Sequence, residues 1–362
     1  MNSTFAFLFV LLSFTAGAAA AAEIPAGVRG VLQARQVPDT SLSIYVEDLD
    51  SGEVVLEWLA DVPRNPASTM KLLTTLVALD VLGPAYRWTT DVYVLGEIAD
   101  GKLDGDLLVK GYGDPFLVTE RVWRLLRRIR HEGIDEITGD LLIDDSWFDV
   151  ADHDPAAFDN QPLRAYNVAP NALLTNFKVV RYWFEHDGER VRVRMDPELD
   201  NLRVDNRLSV RQGYCGGFQR GIAVNMNGDN DKVIFSGRFP SGCRRYAMDR
   251  TALSHNAFTY GLFRSLWEEA GGVLGGAWRN VRKDDLIDDD ETEPLVSFPS
   301  QPLVEMITRV NKHSNNVMAR QVLYTLAAEV NGPPGTEAGG REVIEKWLEE
   351  KNLSSCKMAL EN

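Results

Sequence analysis

Two helical tracts flank a long stretch that alternates like sheet. In the first tract, Leu72-Leu73-Thr74-Thr75-Leu76-Val77-Ala78-Leu79-Asp80-Val81-Leu82 is apolar on nearly every face, and Gly83-Pro84 supplies a stop. The pattern predicts a buried helix that starts near Ser68. Just upstream, residues 42–46 alternate as a strand, 48–52 read as a turn and 54–59 as the returning strand, which predicts a hairpin. From Trp88 to about Ala277 short strands at 92–95, 107–110 and 141–143 alternate with turns. Helical periodicity interrupts them near 121–131 and 257–270. Farther on, Leu303, Met306, Ile307 and Val310 form one apolar stripe, and Val317, Met318, Val322, Leu323 and Leu326 another. A third helix, about residues 337–350, follows a Gly-Pro-Pro-Gly-Thr turn.

The first helix carries the most informative chemistry. In Ser68-Thr69-Met70-Lys71 a hydroxyl and an amine stand three residues apart, on one helix face. Ser68 lies where the N–H groups of the first turn are free, which favours a developing negative charge. A lysine drawn into apolar surroundings loses affinity for its proton and can serve as a base near neutral pH. That is the arrangement of an activated serine nucleophile. The spacing alone is common. Ser354-Ser355-Cys356-Lys357 repeats it with no buried helix behind it, where a capping serine and a solvated lysine suffice.

Between the two later apolar stripes sits Asn311-Lys312-His313-Ser314-Asn315-Asn316. Ser-x-Asn is the second half of a serine-acyltransferase signature whose first half is Ser-x-x-Lys. Ser254-His255-Asn256 has the same form, and there an N-cap serine is the simpler reading. Ser314 is preferred because it falls at a helix–helix junction, where a loop presents side chains to a cleft. His313 reads as a surface residue. Gly111-Tyr112-Gly113-Asp114-Pro115 lacks the third glycine and the following helix of a dinucleotide site, so it is expected to be a turn.

At 362 residues the chain exceeds the usual single domain, and 44% hydrophobic with 25% charged residues is an ordinary globular balance. A net charge of −15 argues against nucleic-acid or anionic-lipid binding. Part of that charge lies in a run at 283–291, read as a solvated loop. Residues 1–22 combine a ten-residue apolar core, Phe5 to Phe14, with small residues up to Ala22. This predicts a signal peptide cleaved before Glu23, and an exported or periplasmic protein with no stable membrane span after cleavage. The core is short beside the roughly twenty residues a bilayer requires. Cys215 and Cys243 sit in Gly-rich turns and are expected to pair in an oxidising compartment. Neither has the spacing of a metal ligand, so no metal is expected. Cys356 is left over, as a small apolar residue.

Taken together, Ser68/Lys71 and Ser314/Asn316 around a long β-rich insertion resemble the class C low-molecular-mass penicillin-binding proteins, the D-alanyl-D-alanine carboxypeptidase/endopeptidases. Leu108 to Pro115, Asp144 to Asp149, Tyr166 to Leu173, Met306 to Asn316 and Gly332 to Thr336 look like further landmarks of that family. The resemblance implies an α+β fold. Residues 23–87 and 291–362 would be parts of a β-lactamase/transpeptidase-like domain, incomplete here, and 88–290 an inserted β-rich region. It also implies acyl transfer on peptidoglycan stem peptides, with β-lactams acylating the same serine and no cofactor. Ser68 would be the nucleophile, Lys71 its base and Ser314 a proton relay, with Asn316 holding the substrate backbone. The family's third signature, Lys-Thr-Gly on a strand, is absent from these residues. The expectation is therefore a C-terminally truncated sequence that turns over poorly as written. A β-lactamase or esterase using the same serine, and a non-catalytic cell-wall-binding protein, remain as alternatives.

Overall fold

A computed structural model describes residues 23–216, 221–282 and 292–353. The signal-peptide tract, the acidic run at 283–291, Cys356 and the second Ser-x-x-Lys at 354–357 lie outside the described residues. The chain divides after Pro66 into two compact units. The first holds helix α1 (Ala26–Ala34) and the expected hairpin, in which β1 (Ile44–Glu47) pairs antiparallel with β2 (Val54–Trp58). Polar bonds fasten it: Trp58 Nε1 donates to the Asp39 carbonyl at 3.2 Å, and Arg64 Nη2 to that of Thr40 at 2.7 Å.

The second unit opens on α2 (Met70–Leu82), then β3 (Thr89–Ala99), β4 (Lys102–Gly111), α3 (Thr119–His131), β5 (Glu136–Ile137) and β6 (Leu141–Asp144). After them come β7 (Val179–His186), β8 (Val191–Asp196), β9 (Arg203–Arg211), β10 (Ile222–Met226), β11 (Lys232–Pro240) and β12 (Arg245–Thr251). The remainder is α4 (His255–Glu269), β13 (Val273–Leu274), β14 (Trp278–Asn280), β15 (Val296–Pro299), α5 (Leu303–His313), α6 (Asn316–Asn331) and α7 (Glu337–Glu350). β3 and β4 form a long antiparallel pair, with β15 on the outer side of β3. β5 and β6 lie parallel to successive parts of β4, and β13 and β14 extend them. Two three-stranded sheets, β12-β7-β8 and β10-β11-β9, meet through aromatic edges, with Tyr182 and Phe184 4.9 and 5.0 Å from Phe235. Cys215 and Cys243, 28 residues apart, form the expected bridge with Cα atoms 4.6 Å apart.

Two large cores stand out among the described residues. One joins the strand-rich region through Val92, Leu107, Ile129 and Phe235, while the other gathers Met70, Val77, Leu303, Met306, Val322 and Ile344 from α2, α5, α6 and α7. The apolar pattern of α2 predicts burial on all sides, and here the structure differs. Leu72 and Leu76 are 57% and 51% exposed, because α5, α6 and α7 cover only the Met70–Val77–Ala78 side. Between the two cores the strand-rich region leaves and rejoins the helices at one point. Trp88 N donates to Ser300 Oγ at 3.0 Å, and Ser300 N to the Trp88 carbonyl at 2.8 Å.

Gly111 ends β4 and the chain turns at Pro115, and Asp114 between them is buried. Oδ1 accepts from Phe116 N at 2.8 Å, while Oδ2 stands 3.7 Å from Arg121 Nε without a hydrogen bond. Burial pushes this carboxyl up to about 6 against the opposing pull of the Phe116 amide and Arg121. The sign follows from linkage. An acid whose folded pKa is raised stabilises the fold below its unfolded value, and that stability is lost as pH rises from about 4 to about 6. Asp114→Asn is therefore expected to stabilise the protein at pH 7, by up to about 3 kcal/mol before the lost attraction to Arg121 is subtracted. The gain should shrink at pH 4.5. Urea unfolding at both pH values checks this, and an equal difference at both refutes it.

Candidate functional site

Ser68 sits in a 3-10 turn, Ala67–Thr69, that runs into α2, and it is exposed. Lys71 lies in the first turn of α2 and is only 4% exposed. Lys71 Nζ donates to Ser68 Oγ at 3.1 Å, and with the amine deprotonated the same contact runs in reverse, Oγ donating to Nζ. Burial, helped by the positive charge of Arg320, holds the Lys71 amine below the usual lysine range. Among the described residues Lys71 forms no ion pair that would counter this.

A polar relay ties α2 to α5. Thr75 Oγ1 donates to the Lys71 carbonyl at 2.8 Å and accepts from Asn311 Nδ2 at 3.1 Å, one turn before Ser314. Ser314 ends α5 in the left-handed region at φ 51°, and it is Asn315 that caps α6, its Oδ1 accepting from Met318 N at 3.1 Å. Ser314 and Asn316 line a cavity of about 600 Å³ together with Tyr166 and Phe177. The structure thus brings Ser68 to Lys71, and Ser314 to Asn316 on one cavity wall. Among the described residues no hydrogen bond joins the two pairs. Ser254, the competing Ser-x-Asn serine, caps α4 through Ala257 N.

Phe177 reaches that cavity from an unusual turn. Asn176, Phe177 and Lys178 all have positive φ, 44°, 54° and 54°. Left-handed backbone costs roughly 1–2 kcal/mol per residue with a side chain. The turn is held by Asn176, whose Nδ2 donates to the Val179 carbonyl at 2.8 Å and whose N donates to that of Leu117 at 2.9 Å.

Two residues of α6 that the sequence did not single out fasten these loops. Arg320, one turn beyond Asn316, donates through Nη1 to the carbonyls of Tyr166 at 3.2 Å and Val168 at 2.9 Å. Gln321 is fully buried; its Oε1 accepts from Asn171 N at 2.9 Å and its Nε2 donates to Asn171 O at 2.9 Å and Gly113 O at 3.3 Å. The available signal was a glutamine inside an otherwise apolar stripe, since buried amides are kept where they complete hydrogen bonds.

Residues 26–362 match the D-Ala-D-Ala carboxypeptidase 3 (S13) family. The D-alanyl-D-alanine carboxypeptidase DacB of Haemophilus influenzae is 20% identical over 331 residues, covering 88% of this chain and 66% of that protein. The D-alanyl-D-alanine carboxypeptidase of Actinomadura sp. strain R39 is 27% identical over 329 residues, covering 86% and 57%. The chain thus spans less than two thirds of either relative. The crystal structure of penicillin binding protein 4 (dacB) from Haemophilus influenzae superposes with a TM-score of 0.71 at 19% identity, covering 85% of this chain and 67% of that one. Its complex with a β-lactam gives 0.65. At that identity the likeness shows the fold: mixed helix and sheet of the penicillin-binding, transpeptidase-like kind, with extra β-rich regions. With the family match running over nearly the whole described chain, this protein belongs to the D-Ala-D-Ala carboxypeptidase 3 (S13) family.

Proposed function

We propose that this chain carries the nucleophilic centre of a serine-type D-Ala-D-Ala carboxypeptidase/endopeptidase acting on exported peptidoglycan. The observation that carries the reading is the 3.1 Å contact between Ser68 Oγ and a buried Lys71 amine that burial holds below the usual lysine range. Ser68 Oγ passes its proton to Lys71 Nζ and attacks the carbonyl between two terminal D-alanines. The C–N bond breaks, the leaving amine takes a proton relayed through Ser314, and the acyl group stays on Ser68. Water then hydrolyses the ester, while the Asn316 amide holds the substrate backbone. A β-lactam opens on the same oxygen, as the β-lactam complex of the Haemophilus protein suggests by analogy. In this reading residues 88–290 form the insertion that flanks the cleft, and residues 1–22 direct export.

The test is labelled penicillin followed by peptide mapping. The wild type should carry the label on the peptide containing Ser68, and Ser68→Ala should carry none. Label on a different serine would refute the assignment.

A further inference from the structure

A second cavity, of about 530 Å³, lies in the strand-rich part of the molecule and has no role in the chemistry proposed for Ser68. It is lined by Lys178, His153 and His255, by apolar Val150, Ala151 and Pro155, and at its exposed rim by Asp149 and Asp152. A concave site with an apolar wall and a few convergent polar groups is the usual form of a small-molecule site. Its volume falls within the usual range for one.

Three of the lining side chains are basic. Lys178 is the last residue of the left-handed turn, so that strained backbone places Phe177 on the Ser314 cavity and Lys178 on this one. Among the described residues the Lys178 side chain has no carboxylate partner and no hydrogen bond, and the residue is half-buried. His255 stands beside it in the first turn of α4, where backbone N–H groups lack helical acceptors. His153 Nε2 donates to the Asn167 carbonyl at 2.8 Å. Burial and the Lys178 charge push the His255 imidazole down to about 3. A half-buried ammonium with no counter-ion, beside an imidazole that burial keeps neutral, is an arrangement that an anion would complete.

The surrounding acids limit which anion. Asp145 also lines the cavity, but its Oδ2 already accepts from Asn171 Nδ2 at 2.7 Å and Asn256 Nδ2 at 3.1 Å. With Asp145 in the lining, Asp149 and Asp152 at the rim and a single lysine inside, a second negative charge on the ligand would be repelled. A metal does not fit. Among the described residues no group of three His, Cys, Asp or Glu side chains is placed to hold one.

We propose that this cavity is a second ligand site, distinct from Ser68, for a small monoanionic carboxylate with a short apolar body. Its headgroup sits on Lys178 and His255, and its body packs on Val150, Ala151 and Pro155. Because Lys178 and Phe177 are consecutive in one turn, occupancy here bears on the wall of the Ser314 cavity.

The experiment uses the full chain with isotope-labelled histidine, titrated with N-acetylalanine, acetate and inorganic phosphate. The chain has five histidines, and His255→Gln assigns the one in question. N-acetylalanine should shift the His255 and His153 signals saturably, and more tightly than acetate, which lacks the apolar body. Binding should weaken as pH rises and Lys178 loses its proton, at a midpoint below the ordinary lysine range. Lys178→Met should weaken it by about tenfold or more, as expected for loss of a charge-assisted contact. Ser68→Ala should bind like the wild type, which separates this site from the one proposed for the reaction. Absence of saturable shifts at tens of millimolar would overturn the proposal. So would equal affinity in Lys178→Met, or phosphate binding more tightly than the carboxylate.

Discussion

Lys71→Arg will slow acylation of Ser68 by labelled penicillin by about 10²–10⁴, the usual contribution of a positioned general base. The substitution keeps a cation and a long stem. It removes the capacity to be neutral, because a guanidinium stays protonated at every working pH. Lys71 differs in that burial and the Arg320 charge already hold its amine below the usual range. The fraction of free amine, and with it the acylation rate, should rise with pH and level off below the ordinary lysine value near 10.4. Arg320→Gln retains N–H donors for the Tyr166 and Val168 carbonyls but removes the charge, so Lys71 holds its proton more tightly. In that variant the same limb should move to higher pH. Stopped-flow acylation across pH 5–10 checks both. An arginine variant within threefold of wild type, or an unmoved limb in Arg320→Gln, would remove Lys71 from the role of base.

Gln321→Met is expected to destabilise the protein by about 2–5 kcal/mol, although methionine fills nearly the same volume. The side chain loses no packing to speak of. What is lost is the acceptor for Asn171 N and the donor to two buried carbonyls, and each buried group left unsatisfied costs about 1–3 kcal/mol. The loops it fastens, Gly111–Pro115 and the one around Asn171, flank the α6 helix that carries Asn316. Acylation should therefore fall together with stability, and lowering the temperature should recover part of it. Equilibrium urea unfolding measures the first effect. A loss below about 0.5 kcal/mol would mean that water or neighbouring groups replace the glutamine, and that it does not hold these loops.

The α+β fold was legible where local pattern decides the outcome. The last helix occupies Glu337–Glu350, where its periodicity and the preceding Gly332–Thr336 turn predict it. The hairpin is set by alternation around an Asp-Gly-rich turn, and both strands appear as expected. Partner choice was not legible. β9 pairs parallel with β11, and β6 parallel with β4, because of what lies on their faces and not because of anything near them in sequence. The open Leu72–Leu76 side of α2 was equally hidden, since apolarity states what a face can bury and not what is there to cover it. Ser68 with Lys71, and Ser314 with Asn316, could be nominated because reactive pairs recur at fixed spacings, and the structure joins the first pair by a hydrogen bond. Arg320 and Gln321 could not, since they act on backbone carbonyls and amides that have no signature. Nor does anything in Asn-Phe-Lys announce three left-handed residues in succession.

The clasp between Trp88 and Ser300 has a consequence for synthesis. The helices that cover the inner side of α2 are encoded beyond it, since α5 begins at Leu303, roughly 220 residues after α2 ends. At about 5–20 residues per second, Met70, Val77 and Trp88 would wait on the order of 10–40 s for their partners. The strand-rich region can meanwhile collapse on its own apolar centre, since that cluster draws on residues from Val92 to Phe298 and none from the helical core. Closing β15 onto β3 is then the step that returns the growing chain to its starting point, and contacts so distant in sequence form slowly. The nascent protein is thus a finished middle with sticky, unfinished ends, the condition in which a holding chaperone matters most.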